Sequence, residues 1–380
     1  MKTPWELLKE SKTKIKTTWR IAFVSALVLG LLIHLPVMLS DIPNHDGLSS
    51  MYFDQNMITS GRWFLIVACG FSSYFTIPWV IGLIGLIWLA LTAAVLTEVL
   101  ELTDPVTITV VSGLLVSFPA LASTFAYVFT MDGYMLALFL AVLAVLFTAK
   151  YPRGYLAGAV CLAFSMGSYQ AYLPFTILLC VYKILLYFME EKGWKEKAKY
   201  VCHYLGMGIA GGVLYYVILQ ILLKLQGKVL DTYQGINSME QMGSGMGILA
   251  TIKGMYVDFL AFTVHGNVLV NNIFSLAACI ILVATVVFLV IRSMIWRKWW
   301  KNPAFFVIMI LLGISMPLLT NVILLISPNL TYHLLMRYQW VLYLILMTAF
   351  ADRYTAEESR TDVVLQWAAL CAAVVLVFDY

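Results

Sequence analysis

The chain has 380 residues, 62% of them hydrophobic and only 12% charged, with a mean hydropathy of +0.89. That mix lies far outside the range of a soluble globular domain and indicates a polytopic membrane protein. The net charge of +4 is small and unevenly placed, so it bears on topology and does not point to a nucleic-acid partner. Six cysteines, Cys69, Cys161, Cys180, Cys202, Cys279 and Cys371, lie in apolar stretches without CxxC spacing. They read as buried small hydrophobes and make neither a metal site nor a disulfide framework.

Residues 1–20 carry Lys2, Lys9, Lys12, Lys14, Lys16 and Arg20 against Glu6 and Glu10. The apolar run 21–39 that follows has about the ~20 residues a helical span needs. It is longer than the apolar core of a signal peptide, and no small-x-small site follows it, so it is read as a retained first span. A basic cytoplasmic N-terminus (1–20) and one multispan membrane domain (21–380) are expected.

The next stretch, 41–63, is polar and holds Asp41, His45, Asp46, Asp54 and Arg62. Ionisable groups beside a bilayer are costly and usually functional. Further apolar runs fall near 64–76, 77–100, 105–127, 131–149, 154–169, 172–189, 200–223, 272–291, 304–326, 338–351 and 363–380. With 64–76 taken as interfacial, about eleven spans result, and the fold class is an all-α polytopic membrane protein.

Alternating these spans from a cytoplasmic N-terminus places eighteen cations inside: the six N-terminal ones, Lys150, Arg153, Lys192, Lys195, Lys197, Lys199, Arg292, Arg297, Lys298, Lys301, Arg353 and Arg360. Only Arg62, Lys224, Lys228, Lys253 and Arg337 fall outside, a bias that favours this orientation. Lys183 is left inside a span, near its cytoplasmic end, where it can snorkel. The 41–63 loop is then extracytoplasmic. The longest outer segment, 226–271, contains the glycine-rich run 242–247. It lacks the Gly-Lys-Ser/Thr ending of a phosphate loop and reads as a hinge before an amphipathic 248–264 stretch.

Other polar groups sit in turns on the same outer side: Asp132 in TFAYVFTMDGY, Tyr169 and Gln170 in SMGSYQAY, and His333 and Arg337 in TYHLLMRYQW. Such turns can converge on the loop around Asp46, bringing a carboxylate suited to general-base work to cations that hold a phosphate. Arg62 and Arg337 abut span boundaries, where they suit a lipid phosphate. Asp41, beside Asn44 and Pro43, also reads as a turn former. Metal is left unassigned, because His45 and Asp46 are adjacent and cannot easily face one ion.

The order of these features resembles the GtrII-type glucosyltransferase family over roughly residues 20–350. The shared features are a basic N-terminus, a first span, an outer acidic loop ending in Gly61-Arg62-Trp63, a Phe-Thr-Met-Asp turn at Asp132 and a Ser-x-Gly-x-Tyr-Gln-Ala segment at 165–171. The resemblance implies a GT-C-like bundle and a bacterial inner-membrane enzyme. It implies transfer of a hexose from a polyprenyl-phosphate carrier to a surface glycan such as O-antigen, on the extracytoplasmic face. A polyprenyl-phosphate glycosyltransferase and a flippase are its implied functional partners.

The family's paired acids correspond here to His45 and Asp46, which makes Asp46 the expected catalytic base and departs from any mechanism needing two adjacent carboxylates. Arg62, Arg337 and His333 are the expected phosphate contacts. Asp41, His45, Asp132, Tyr169 and Gln170 are the expected substrate contacts. Relatives often continue beyond the position of Tyr380, so a shortened C-terminus is also expected. Two other classes fit the composition: a polyprenyl-linked glycan polymerase or ligase, and a lipid or sugar transporter or flippase. The acids cluster at the outer boundary and not at mid-membrane, and the 226–271 loop has only Lys228 and Lys253, which weighs against both.

Overall fold

The computed structural model describes residues 2–40, 57–70, 77–231, 248–296, 298, 303–327, 330–355 and 359–380. These form helices joined by short turns, with no strand among the described residues. In chain order they are α1 (Pro4–Lys14), α2 (Thr17–Leu39), α3 (Leu65–Ala68), α4 (Pro78–Leu100), α5 (Pro105–Ser117), α6 (Pro119–Phe125), α7 (Met131–Lys150) and α8 (Gly154–Ser168). Then follow α9 (Leu173–Phe188), α10 (Trp194–Gln226), α11 (Ile248–Leu260), α12 (Ile273–Trp296), α13 (Pro303–Thr320), α14 (Val322–Ile326), α15 (Val341–Tyr354) and α16 (Arg360–Asp379). Short 3₁₀ turns lead into α7, α9 and α15.

Local chemistry accounts for several ends. Thr3 and Glu6 form a capping box at the start of α1, satisfying two otherwise orphan N–H groups. Proline opens α4, α5 and α6, where its missing N–H costs nothing. Gly227, at φ +60°, closes α10 in the left-handed conformation that glycine adopts without strain.

Nine helices among the described residues are long and apolar enough to cross a membrane, or ten if α5 and α6 count as one bent span. The protein is therefore an all-α polytopic membrane protein. About eleven spans are expected from the sequence, and several expectations differ in detail; the 304–326 run is divided between α13 and α14. The 105–127 run is broken by 49° between α5 and α6. The 154–169 run forms α8, a shorter apolar helix. The 248–264 stretch, expected as an amphipathic part of an outer loop, forms a helix over Ile248–His265 that is apolar enough to be a candidate span. The described part of 64–76 contains only the single turn α3.

The break at Pro119 leaves carbonyls that water cannot reach at membrane depth. Leu115 O, four residues before the proline, accepts from the Tyr338 hydroxyl. Val116 O accepts from His34 Nε2 at 2.9 Å; a carbonyl can only accept, so Nε2 carries the hydrogen. His34 is itself buried and stacks flat on Phe125, centroids 4.0 Å apart. Helix α2 and the 3₁₀ turn before α15 thus complete the hydrogen bonding of the bent helix.

The chain's direction in each helix defines two ends. Lys16, before α2, reaches Glu98 near the end of α4 at 2.7 Å, and Lys150 at the end of α7 bonds the same carboxylate. Glu101 accepts from Lys183 of α9 and Arg353 of α15, each at 2.7 Å. This is the basic end. At the other end Met38 of α2 packs on Gly82 of α4, Met131 of α7 packs on Gly85, and Leu65 of α3 packs on Gly133. The core lies between, in the largely buried α4, α7, α9 and α15, while α10, α11, α12 and α16 expose apolar side chains on the rim.

Candidate functional site

The Gly-Arg-Trp motif sits at the end opposite the basic one. Gly61 N donates to Ile58 O at 2.9 Å and Arg62 N to Met57 O at 2.7 Å, the paired bonds of a Schellman motif. Gly61 holds its left-handed position, at φ +76°. A Cβ there would lie 2.6 Å from the Tyr215 hydroxyl and 2.7 Å from Gln170 Nε2, so no other residue fits the conformation or the space.

The second motif locks onto the first. Gln170 Nε2 donates to Ser60 O at 3.2 Å and to the Tyr215 hydroxyl at 3.1 Å, and Tyr215 donates to Gly61 O at 3.1 Å. Gly167 lies against Trp63, where a Cβ would be 2.6 Å from the indole. Phe64 N donates to Gly167 O at 2.7 Å, and Ser165 Oγ ties the segment to Ala137 O of α7 at 2.7 Å. Gly-Arg-Trp and Ser-x-Gly-x-Tyr-Gln-Ala are two halves of one joint.

That joint presents Arg62. Its Nε donates to Ser60 Oγ at 2.9 Å and one terminal nitrogen to the Tyr134 hydroxyl at 3.3 Å, which fixes the guanidinium on two neutral oxygens. Tyr134 stacks on Tyr169, centroids 4.3 Å apart. Tyr169 is buried, and its ring also meets that of Tyr172, centroids 5.2 Å apart. Asp132, two residues before Tyr134, is 1% exposed and accepts from Gly133 N at 2.9 Å. Of the expected site residues, Arg62, Asp132, Tyr169 and Gln170 therefore share one end of the bundle. Asp41, His45, Asp46 and Asp54 lie outside the described residues.

Arg337 occupies a different setting. Its two terminal nitrogens donate to both oxygens of Asp258 in α11, each at 2.7 Å. Its guanidinium carbon lies 3.9 Å from the Tyr332 ring centroid and 4.7 Å from that of Phe262. Asn321 Nδ2 adds a bond to Asp258 at 3.1 Å. Both forks of Arg337 are thus engaged within the protein, and the expected phosphate contact is occupied by Asp258. His333 is exposed and begins the turn that carries Arg337. A run of rings joins the two arginine sites: Tyr169 to Tyr172 at 5.2 Å and Tyr172 to Tyr338 at 6.2 Å.

Sequence reasoning missed Ser60, Tyr134, Tyr215 and Asp258. Tyr134 carries a signal, standing two residues from Asp132 in Met-Asp-Gly-Tyr; Tyr215 and Asp258 carry none. Among the described residues no three His, Cys, Asp or Glu side chains come together to hold a metal ion.

The family model for glucosyl transferase GtrII matches residues 35–351, most of the chain, and the chain belongs to that family. No curated protein and no solved structure matches it.

Proposed function

We propose that this GtrII-family glucosyltransferase moves a hexose, glucose by preference, from a polyprenyl-phosphate carrier to a surface glycan on the extracytoplasmic face of a bacterial inner membrane. The observation that carries the reading is Arg62, fixed by the neutral oxygens of Ser60 and Tyr134, at the end of the bundle away from the cation-rich one. By the positive-inside bias the cation-rich end is cytoplasmic, which supports an extracytoplasmic site. A guanidinium held this way suits a phosphate at the membrane boundary.

In this reading the acceptor hydroxyl attacks the anomeric carbon, the bond from that carbon to the phosphate oxygen breaks, and the hydroxyl proton passes to Asp46. The phosphate departs with the electron pair and its growing charge is met by Arg62. No strong general acid is needed, because the phosphate is already ionised. Tyr169 and Asp132 orient the sugar, His333 contributes at the rim, and Arg337 organises its turn through Asp258.

The test is transfer of radiolabelled glucose from polyprenyl-phosphate glucose in membranes holding the parent, Asp46→Asn or Arg62→Gln at matched expression. The expected result is activity in the parent, a fall of about 10²–10⁴-fold for Asp46→Asn and a raised donor KM for Arg62→Gln. Unchanged activity in Asp46→Asn removes that residue from the mechanism, and no transfer by the parent from any polyprenyl donor overturns the reading.

A further inference from the structure

The basic end contains a polar cavity that the transfer reaction does not use. It measures about 380 Å³, opens to the surface and lies among α4, α7, α9, α10 and α15. Lys150, Lys183, Lys192 and Arg353 line it together with Glu98, Glu101 and Glu190. Its ionic bonding is lopsided. Glu98 accepts from Lys16, Lys150 and the Trp19 indole. Both oxygens of Glu101 are taken by Lys183 and Arg353. Glu190 faces Lys192 at 3.0 Å and Arg353 at 3.9 Å.

Each carboxylate is therefore engaged by at least two donors. Of the lysines that line the cavity, Lys150, Lys183 and Lys192 each direct one of three N–H groups at a carboxylate, and Arg353 has five N–H groups. The unused capacity around the cavity is almost all donor capacity, from cations held in place by their carboxylates. Lys183 is notable, with its side chain 8% exposed. Val99, Leu146 and Leu186 add an apolar part to its lining, and the cavity sits where the helices end. A ligand matching this arrangement has several acceptor oxygens, negative charge and an apolar continuation.

We infer that the cavity at the basic end binds a phosphate group, and specifically the headgroup of an anionic phospholipid from the leaflet at that end. The phosphate oxygens accept from Arg353, Lys183 and Lys192, and the acyl chains stay in the leaflet. A bound lipid of this kind joins α4, α7, α9 and α15 at the end remote from the reaction.

The experiment uses the full chain, purified in detergent and freed of lipid, with thermal unfolding followed as dioctanoyl-phosphatidylglycerol, dioctanoyl-phosphatidylcholine or inorganic phosphate is added. A saturable rise in Tm with phosphatidylglycerol and none with phosphatidylcholine is expected. The Lys192→Gln/Arg353→Gln double variant should weaken the apparent affinity about tenfold, the loss of one charge-assisted hydrogen bond or more. If that variant fails to fold, Lys192→Gln alone, which alters an exposed ion pair and a contact over the Tyr187 ring, should still weaken it. An equal rise from inorganic phosphate assigns the cavity to free phosphate and overturns the lipid assignment. Equal shifts from the two lipids, or parental affinity in the variants, overturn the proposal altogether.

Discussion

The two ends of this bundle hold their arginines and lysines by opposite means. At the basic end the side chains of Lys16, Lys150 and Arg353 are 51%, 42% and 33% exposed, with Lys183 the buried exception at 8%, and they converge on glutamates that link separate helices. At the other end Arg337 is 11% exposed, forked onto Asp258 and enclosed by Tyr332, Phe262 and Trp340. Arg62 is held there by neutral oxygens alone among the described residues. Exposed pairs are each worth about 0–1 kcal/mol because water screens them, whereas a desolvated pair is costly to break. The first end is an adjustable strap. The second is a fixed frame on which a single cation can be presented to a substrate.

Breaking that frame should give the largest effect. Arg337→Leu leaves the Asp258 carboxylate with Asn321 as its remaining side-chain partner. The expected loss is about 3 kcal/mol, the low end for a buried pair because Asp258 keeps some exposure. Thermal unfolding in nanodiscs checks it, and Arg337→Leu/Asp258→Leu should recover at least half. If Arg353→Gln at the basic end costs as much, the contrast between the ends fails.

Next come the two glycines of the joint. Gly61→Ala meets Tyr215 and Gln170 at a left-handed φ, and Gly167→Ala meets the Trp63 indole. Each should cost about 1–3 kcal/mol through overpacking or strain. Both should also lower glucosyl transfer, because they displace the segment that carries Arg62. Retained activity with lowered stability in both variants would separate the joint from the site.

Smaller still is the effect of the donors at the helix break. His34→Phe keeps a ring on Phe125 but removes the bond to Val116 O, and Tyr338→Phe removes the bond to Leu115 O. About 1 kcal/mol each is expected, as for other hydrogen bonds between membrane helices. Hydrogen exchange at α5 and α6 should rise in both variants.

The fold was largely legible because a bilayer demands long apolar runs and tolerates few charges, and these are visible residue by residue. Less visible were features whose partners are distant. Asp258 made 248–264 look amphipathic, since Arg337, which neutralises it, stands 79 residues away. Pro119 was in plain sight, but the groups that let a helix break there belong to His34 and Tyr338. Motif spacing placed Arg62, Asp132, Tyr169 and Gln170 in outer turns, and the structure brings them to one end of the bundle, where the Gln170 amide grips Ser60 and Tyr215. Tyr215 is one tyrosine among 21, and nothing near it in sequence marks it out.

The smallest expected effect lies at the basic end and depends on pH. Burial raises the Glu101 carboxyl pKa, but the hydrogen bonds and charges of Lys183 and Arg353 outweigh it, and the net shift is downward. A carboxyl whose folded pKa is depressed stabilises the fold above its unfolded pKa, and that contribution is lost as pH falls through the folded value. Glu101→Gln should therefore lower Tm slightly at pH 7, and the gap from the parent should close as the pH drops below about 4. The side chain is 54% exposed, so salt should shrink the gap as well. Raising ionic strength should leave the cost of Arg337→Leu almost unchanged, because the Arg337–Asp258 pair is shielded by rings and not by water. A salt response of equal size at both ends would mean that the aromatic cage does not exclude solvent, and the frame would then be as adjustable as the strap.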